Sequence, residues 1–235
     1  MRSLLLLNGS PRGERSNSMK MLFQIAEGWN HAGGSAPEVL HLARPAGFER
    51  AVAAFFEAEI VLLGMPLYTD AMPGIVKFFI EAIGERAKAE PAAQTKPTLG
   101  FLVQCGFPEA LHMRCVARYL EKLALRLGSP YAGTILRGGG EIVASMPTEA
   151  NEKLWKGLRT LGAQLASNNR FGDAELNAVK GVERLPWLAA PLLTLAAKPL
   201  VMNLPVGLES QAINGSKRSR CEGTVQAAVF IKPRQ

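Results

Sequence analysis

A regular alternation of short apolar runs with longer segments of helical period constrains the fold of this chain more than any other feature. The apolar runs predict buried strands at residues 3–7, 38–42, 60–64, 98–104 and 131–136. The intervening and following segments predict helices at residues 17–27, 48–57, 74–86, 109–127 and 148–166. Such alternation is typical of βαβ units, in which helices cover both faces of a parallel sheet. The sequence therefore predicts an α/β fold with a five-stranded parallel sheet.

The length of the chain, 235 residues, is enough for one α/β domain with an extension. We assign residues 1–168 to the domain and residues 169–235 to a C-terminal extension. Residues 185–208 are strongly apolar, but four prolines interrupt them. Because a proline costs about 3 kcal/mol inside a helix, we expect no stable membrane insertion of this segment, which instead packs over the domain, forms a lid or lies in a dimer interface. Residues 209–222 are predicted to form a polar, partly basic linker, and residues 224–231 a late strand.

The charge and the cysteine pattern exclude several classes of function. The formal net charge is +7, which favours anionic ligands such as nucleotides. The basic residues are scattered and do not alternate with aromatic residues, so we expect no nucleic-acid partner. The three cysteines form no Cys-x-x-Cys pair, and the three histidines have no metal-ligand spacing. We therefore predict no metal site, reduced thiols and, since no segment has the pattern of a secretion signal, a cytoplasmic protein.

The first predicted strand runs directly into a hydroxyl-rich loop that opens a helix. Apolar residues recur at helical spacing after Ser18, so Ser16 or Asn17 is predicted to be the N-cap of that helix. A helix start offers unpaired N–H groups and the positive end of the helix dipole, and the segment therefore favours a bound anion such as phosphate. The alternative is a turn that only caps the helix.

Side chains in this loop add donors and positive charge. Hydroxyl groups come from Ser10, Ser16 and Ser18, and the charge comes from either Arg12 or Arg15. The loop lacks the lysine of a Walker P-loop, and its glycines do not fit the G-x-G-x-x-G fingerprint. It is therefore a phosphate-binding candidate of a less common kind.

Two further loops are predicted to meet the first one, because the carboxyl ends of parallel strands lie at the same edge of a sheet. Residues 65–74 follow the third strand and contain two prolines and Tyr68, which suit a flat heteroaromatic ring. Residues 104–109 follow the fourth strand, where Gly106 permits close approach and Phe107 offers an apolar wall. Cys105 beside them is predicted to be a buried, inert thiol. Taken singly, each loop is an ordinary strand-to-helix turn.

With these residues and spacings, the chain resembles the NAD(P)H-dependent FMN reductases of flavodoxin-like fold. Within residues 2–166, the most specific parts of the resemblance are Gly9-Ser10-Pro11-Arg12 with Ser16-Asn17-Ser18, and Pro66-Leu67-Tyr68 with Pro73-Gly74. The resemblance implies that the FMN phosphate is held by Ser10, Arg12, Ser16, Asn17 and Ser18. It also implies that the isoalloxazine ring is lined by Pro66, Leu67, Tyr68, Gly106 and Phe107.

The same resemblance implies a doubly wound, flavodoxin-like sheet, a homodimer, and an enzyme that passes hydride from NADH or NADPH through FMN to a small electron acceptor. The acceptor class comprises flavins, quinones, azo compounds and nitroaromatic compounds. The cofactor carries the chemistry, so no catalytic side chain is predicted. Two alternatives stay open, a flavodoxin-type electron carrier and a non-catalytic flavin-binding sensor. Such carriers are usually acidic, whereas this chain is basic.

Overall fold

Strands and helices alternate along the chain as the sequence predicts. The computed structural model describes residues 2–68, 70–89, 96–147 and 149–185. Its strands are β1 (Leu4–Asn8), β2 (Glu38–His41), β3 (Ile60–Pro66), β4 (Thr98–Gln104) and β5 (Tyr131–Arg137). Its α-helices are α1 (Asn17–His31), α2 (Pro45–Phe55), α3 (Gly74–Ala89), α4 (Arg114–Leu127), α5 (Gly140–Ser145), α6 (Glu152–Asn168) and α7 (Asp173–Lys180). Short 3-10 turns at Gly13–Arg15, Ala110–Met113 and Glu149–Asn151 precede α1, α4 and α6.

The five strands form one parallel sheet in the order β2-β1-β3-β4-β5. The chain therefore steps to one side of β1 for the second strand and to the other side for the third. This order is the flavodoxin-like, doubly wound arrangement, in which the switch point lies between β1 and β3. The predicted fold class is confirmed.

Helices cover both faces of the sheet because its central strands are apolar on both sides. In β1, Leu5 and Leu7 face a cluster formed with α2, α3 and α4. Leu4 and Leu6 face a second cluster, formed with α1, α5, α6 and α7. All four leucines are at most 2 % exposed. A strand buried on both faces has no need of polar alternation, which explains the unbroken run of leucines.

Two glycines allow α1 and α6 to cross at backbone contact. A Cβ atom at Gly28 would lie 1.8 Å from the carbonyl oxygen of Arg159, and one at Gly162 would lie 2.0 Å from the carbonyl oxygen of Ile25. Both neighbours are backbone atoms, so neither can move aside as a side chain would. Trp29, beside this crossing, is fully buried. The crossing therefore depends on the absence of a side chain at both positions.

The structure differs from the predicted bounds in particular places. The fourth helix, predicted from residue 109, begins at Arg114 after a 3-10 turn, and the last predicted helix begins at Glu152 rather than at residue 148. Two helices, α5 and α7, were not predicted. The sequence does not predict the short helix α5 because of the three glycines at residues 138–140. Glycine has a poor helix propensity and interrupts the apolar period.

The chain beyond α6 packs on the sheet as well. The N–H of Phe171 donates to the carbonyl of Ala132 at 2.9 Å. A Cβ atom at Gly133 would lie 3.1 Å from the ring of Phe171, so this glycine makes room for the aromatic side chain. After α7, the carbonyl of Val182 accepts from the N–H of Ala110 at 2.9 Å. Residues 169–185 thus contact the strands and loops of the sheet directly.

The predictions for the apolar segment after Leu185, for the linker at residues 209–222 and for the strand at residues 224–231 concern residues outside the described part of the chain. Among the helices within that part, none combines the length and the hydropathy that crossing a bilayer requires.

Candidate functional site

A cleft lies at the carboxyl edge of the sheet, at the switch point between β1 and β3. Its volume is about 120 Å³. Three loops contribute to it together with α5: the first loop (residues 9–16), the second loop (residues 67–73) and the third loop (residues 105–109). The residues that line it are Ser10, Arg12, Ser16, Asn17, Pro66, Leu67, Tyr68, Gln104, Cys105, Gly106 and Glu141.

A larger cleft, of about 350 Å³, lies at the opposite edge of the sheet. Phe55, Lys96 and Ser129 are among its lining residues, close to the amino ends of β3, β4 and β5. In doubly wound sheets, ligands bind outside the carboxyl ends of the strands. We therefore place the candidate site in the smaller cleft.

The side chain of Asn8 holds the first loop in shape. Its amide nitrogen donates to the carbonyl of Gly13 at 2.7 Å, and its amide oxygen accepts from the N–H of Ser10 at 3.1 Å. Asn8 is fully buried at the end of β1. The loop thus has an internal support that needs no ligand.

The amino end of α1 lies against this loop. Ser16 is the N-cap, because its Oγ accepts from the N–H of Met19 at 3.1 Å, which confirms the predicted helix start. The N–H groups of Asn17 and Ser18 have no hydrogen-bond partner among the described residues. The Asn17 side chain donates to the carbonyl of Gly140 at 3.0 Å and so ties α1 to α5. Two free donors at the positive end of a helix dipole suit an anion.

Of the two arginines in the first loop, Arg12 lines the cleft and Arg15 does not. The Arg12 guanidinium donates to the carboxylate of Glu141 on α5 at 2.9 Å. Both side chains are more than half exposed, so this ion pair is weak and a stronger anion can compete with it. Arg12 is therefore the arginine that the cleft presents to a ligand.

The second loop forms a firm wall on the other side of the cleft. The N–H of Leu67 donates to the carbonyl of Gln104 at 2.7 Å, which extends the pairing of β3 with β4 by one residue. Tyr68 and Ala71 exchange two backbone hydrogen bonds, of 2.9 and 3.1 Å, which close a tight turn. Asp70 in this turn has a φ of 64°, a left-handed conformation that aspartate tolerates better than most residues. The wall is therefore fixed by backbone bonds.

The third loop brings a thiol and a free backbone donor to the cleft. The Cys105 Sγ donates to the carbonyl of Phe107 at 3.3 Å. Burial raises the pKa of the Cys105 thiol and outweighs the lowering effect of backbone hydrogen bonds, so the sulfur stays protonated at neutral pH and is a poor nucleophile. The N–H of Gly106 has no hydrogen-bond partner among the described residues, and it is available to a ligand.

Two of the residues predicted for the site do not line the cleft. Ser18 is fully buried, and its Oγ accepts from the Gln104 side chain at 3.4 Å. Phe107 is 63 % exposed and packs against the ring of His112, with 4.9 Å between the ring centroids. The other predicted residues lie together in the cleft, namely Ser10, Arg12, Ser16, Asn17, Pro66, Leu67, Tyr68 and Gly106.

Gln104 and Glu141 line the cleft but were not predicted as site residues. Gln104 is 5 % exposed, and its Oε1 atom is buried without a hydrogen-bond partner. A buried acceptor without a partner is unfavourable, so a donor on a ligand would stabilise this oxygen once the side chain turns toward the cleft. The sequence carried a signal for Gln104, a polar residue at the carboxyl end of an apolar strand. It carried none for Glu141, because the helix that presents it was not predicted.

No protein-family model matches this sequence, and no curated protein matches it. Solved structures are similar in fold. An FMN-dependent NADH-azoreductase from Bacillus anthracis str. Ames Ancestor, in complex with FMN, has a TM-score of 0.52 and 14% identity over 71% of this chain and 100% of that one. An apo NADH:FMN oxidoreductase has a TM-score of 0.54 and 14% identity over 82% of this chain and 99% of that one. An NADPH-quinone reductase from P. pentosaceus has a TM-score of 0.51 and 18% identity over 72% and 99% of the two chains.

At these identities the similarity is one of fold. It agrees with the strand order described above and confirms the flavodoxin-like architecture that the sequence predicted. The chains of these three proteins are covered almost completely, so the fold they share with this protein is an entire domain.

Proposed function

We propose that this protein binds FMN in the cleft and uses it to pass hydride from NADH or NADPH to a small electron acceptor. The observation that carries the proposal is the helix start at the switch point, where the free N–H of Asn17, serine hydroxyls and one guanidinium meet at the cleft. In flavodoxin-like sheets with this strand order, the switch point between the first and third strands is where FMN binds.

The first loop fits the phosphate group of FMN. The N–H group of Asn17 would donate to a phosphate oxygen at the positive end of α1. The hydroxyls of Ser10 and Ser16 and the guanidinium of Arg12 lie in the same cleft. Ser18 is fully buried outside the cleft and its hydroxyl faces Gln104, so it takes no direct part in the proposed site.

The second and third loops fit the flat ring and the chain that joins it to the phosphate. Pro66, Leu67 and Tyr68 form the wall against which the ring would lie. Gly106 offers a free N–H and no side chain, which permits close approach. The unpartnered, buried Oε1 of Gln104 would turn toward the cleft and accept a hydrogen bond from a hydroxyl of the ribityl chain. In this proposal Phe107 stands at the mouth of the cleft and does not line the ring.

When bound, FMN supplies the hydride chemistry. The chain orients the ring, shields it from water and stabilises negative charge near it with backbone donors such as the Gly106 N–H. The Cys105 thiol stays neutral and supplies no base. Tyr68 is 45 % exposed, so the mouth of the cleft is accessible to a nicotinamide and to an acceptor in turn.

The names of the three similar structures support this class of reaction. All three names mention NADH or NADPH, and two of them mention FMN. The three proteins differ in their electron acceptors. For this chain we therefore propose only a class of acceptor: a flavin, a quinone, an azo compound or a nitroaromatic compound. The net charge of +7 favours an enzyme over an acidic electron carrier.

The proposal also includes a cytoplasmic homodimer, for which the exposed side chains of Phe107, Ile142 and Met146 provide apolar surface near the cleft.

Spectroscopy of the purified protein tests the proposal directly. We expect added FMN to bind with one cofactor per chain and with quenching of its fluorescence. Anaerobic NADH or NADPH should then bleach the flavin absorbance, and a quinone or an azo dye should restore it. A protein that binds FMN but leaves it oxidised would be the carrier or sensor of the alternative interpretations. A protein that fails to bind FMN at any concentration would contradict the assignment altogether.

Replacing Gln104 by methionine tests the unpartnered acceptor. The change removes Oε1 at similar volume together with the long 3.4 Å bond from Nε2 to the Ser18 Oγ, so we expect the melting temperature of the apoprotein to fall by about a few degrees. The affinity for FMN should fall about tenfold, because the ribityl hydroxyl would lose a buried acceptor. Fluorescence titration measures the affinity, and riboflavin, which has the same ribityl chain but no phosphate, should show the same loss. An unchanged affinity for both ligands would mean that Gln104 makes no bond to the cofactor.

A further inference from the structure

His41 lies directly beside the residue that supports the first loop. Asn8 and His41 are register neighbours at the carboxyl ends of β1 and β2. Neighbouring residues of parallel strands project to the same face of a sheet, which here is the face that carries α1. The His41 Nδ1 atom is 3.1 Å from the amide nitrogen of Asn8. The histidine side chain is 11 % exposed.

The hydrogen bonds of Asn8 decide which of the two side chains is the donor. The Asn8 amide nitrogen donates one hydrogen to the carbonyl of Gly13, and its second hydrogen is shared between the Ser16 Oγ at 3.2 Å and the His41 Nδ1 at 3.1 Å. The amide oxygen accepts from the N–H of Ser10. If the Asn8 amide were inverted, its oxygen would face the carbonyl oxygen of Gly13 and its NH₂ group would face the N–H of Ser10, and neither pair can form a hydrogen bond. The amide nitrogen is therefore the group that faces His41, and the Nδ1 atom must be the acceptor. This bond requires the neutral ring with its hydrogen on Nε2.

The charged groups that act on His41 come from the two segments packed against it. Glu14, in the first loop, has a carboxylate oxygen 3.7 Å from Nε2, and Arg44, in the turn before α2, binds the same carboxylate at 2.9 Å. Burial lowers the pKa of His41, Glu14 raises it and Arg44 lowers it, with a net lowering. The neutral ring is therefore the dominant form at neutral pH.

Protonation of the ring would reverse the role of Nδ1. Two N–H groups would then face each other at the present distance of 3.1 Å. Asn8 would have to rotate, and its bonds to Gly13 and Ser10 would break with the rotation. The first loop would lose the support that shapes it.

We propose that His41 is a positioning residue: its neutral ring holds the Asn8 amide in the orientation that shapes the first loop, and protonation of the ring weakens cofactor binding. The inference rests on the proposed function, since the cofactor is the FMN assigned to this cleft. It concerns a residue that does not line the cleft. The charge of a protonated ring would attract a phosphate, but Nε2 faces Glu14, whose carboxylate offsets that attraction.

Two variants of His41 distinguish the effect of its hydrogen-bond acceptor from the effect of protonating its ring. His41→Asn keeps an acceptor oxygen at the position of Nδ1 but has no proton to gain, whereas His41→Ala removes the acceptor. We expect His41→Ala to weaken FMN binding about tenfold at neutral pH and His41→Asn to leave it nearly unchanged. Between about pH 8 and pH 5, the affinity of the unmodified protein should fall about tenfold more than that of His41→Asn. The FMN phosphate titrates in this range too, but it does so equally in both proteins.

Controls distinguish this inference from the assignment of FMN. Riboflavin lacks the phosphate, so its affinity should show no difference in pH dependence between the unmodified protein and His41→Asn. If FMN binds equally well to all three proteins at every pH, or more tightly at low pH in the unmodified protein, the positioning role is wrong while the cofactor assignment stands. If FMN binds to none of them, the assignment itself fails.

A measurement on the apoprotein tests the role of His41 without any cofactor. Nitrogen-15 NMR of the imidazole should report the Nε2–H tautomer, with Nδ1 unprotonated, at neutral pH. The Nδ1 signal should change in the Asn8→Ala variant, which removes the amide donor. A protonated Nδ1 in the unmodified protein at neutral pH would overturn the inference.

Discussion

Gly162→Ala should destabilise the protein by about 3 kcal/mol or more, because the new Cβ would lie 2.0 Å from the carbonyl oxygen of Ile25 and 2.9 Å from the backbone nitrogen of Trp29. Neither atom can move without its helix, so α1 and α6 must separate. Separation would loosen the packing around Trp29, a fully buried side chain. Urea denaturation followed by circular dichroism measures the free energy of unfolding.

The matched control is Gly84→Ala, in the helix α3. A Cβ atom at Gly84 meets nothing within 4 Å. Since alanine has a higher helix propensity than glycine, we expect this variant to gain about 0.5–1 kcal/mol. The same substitution should thus lower the free energy of unfolding in one helix and raise it in the other. Equal free energies of unfolding for both variants would contradict the backbone contact between α1 and α6.

Arg12→Glu should weaken FMN binding on the order of 100-fold at low ionic strength, since an attractive charge is replaced by a repulsive one beside a group with about two negative charges. The new carboxylate would also repel Glu141, which now pairs with Arg12. The Arg12 side chain is 60% exposed, so the free energy of unfolding should change little. Fluorescence titration with FMN measures the effect.

Arg15→Glu is the control for Arg12→Glu, because it changes the net charge equally in the same loop. Arg15 does not line the cleft, and we expect its replacement to lower the affinity less than about fivefold. High salt should reduce the difference between the two variants, since it screens exposed charges. Riboflavin, which has no phosphate, should bind equally to both. Equal losses of FMN affinity would show that net charge, rather than the position of Arg12, governs binding.

The elements of the sheet were predictable because their causes are local. Each strand is an apolar run bounded by polar or turn-forming residues, and each long helix carries apolar residues at a period of 3.6. The N-cap at Ser16 was predictable for the same reason, since the cap bond joins Ser16 to Met19, three residues along the chain. The helix α5 was not predictable, because three glycines precede or begin it and their effect depends on what packs around them.

The residues of the cleft were predictable as a group but not one by one. The carboxyl ends of parallel strands meet, so Ser10, Leu67 and Gly106 were expected together and lie together. Whether a given side chain faces the cleft was a different matter. Ser18 turns its hydroxyl to Gln104, and Phe107 packs against His112. No local pattern distinguishes these orientations.

The amino-acid sequence by itself determined the α/β fold class, the start of α1 and the set of loops that line the cleft, because periodicity and capping act between residues close along the chain. Only the tertiary structure decided which groups complete the cleft. Asn17 binds Gly140 across 123 positions, Arg12 binds Glu141 across 129, and Gln104 reaches Ser18 across 86. Such bonds depend on how the crossover connections return each strand to the sheet, and this long-range geometry leaves no periodic trace in the sequence.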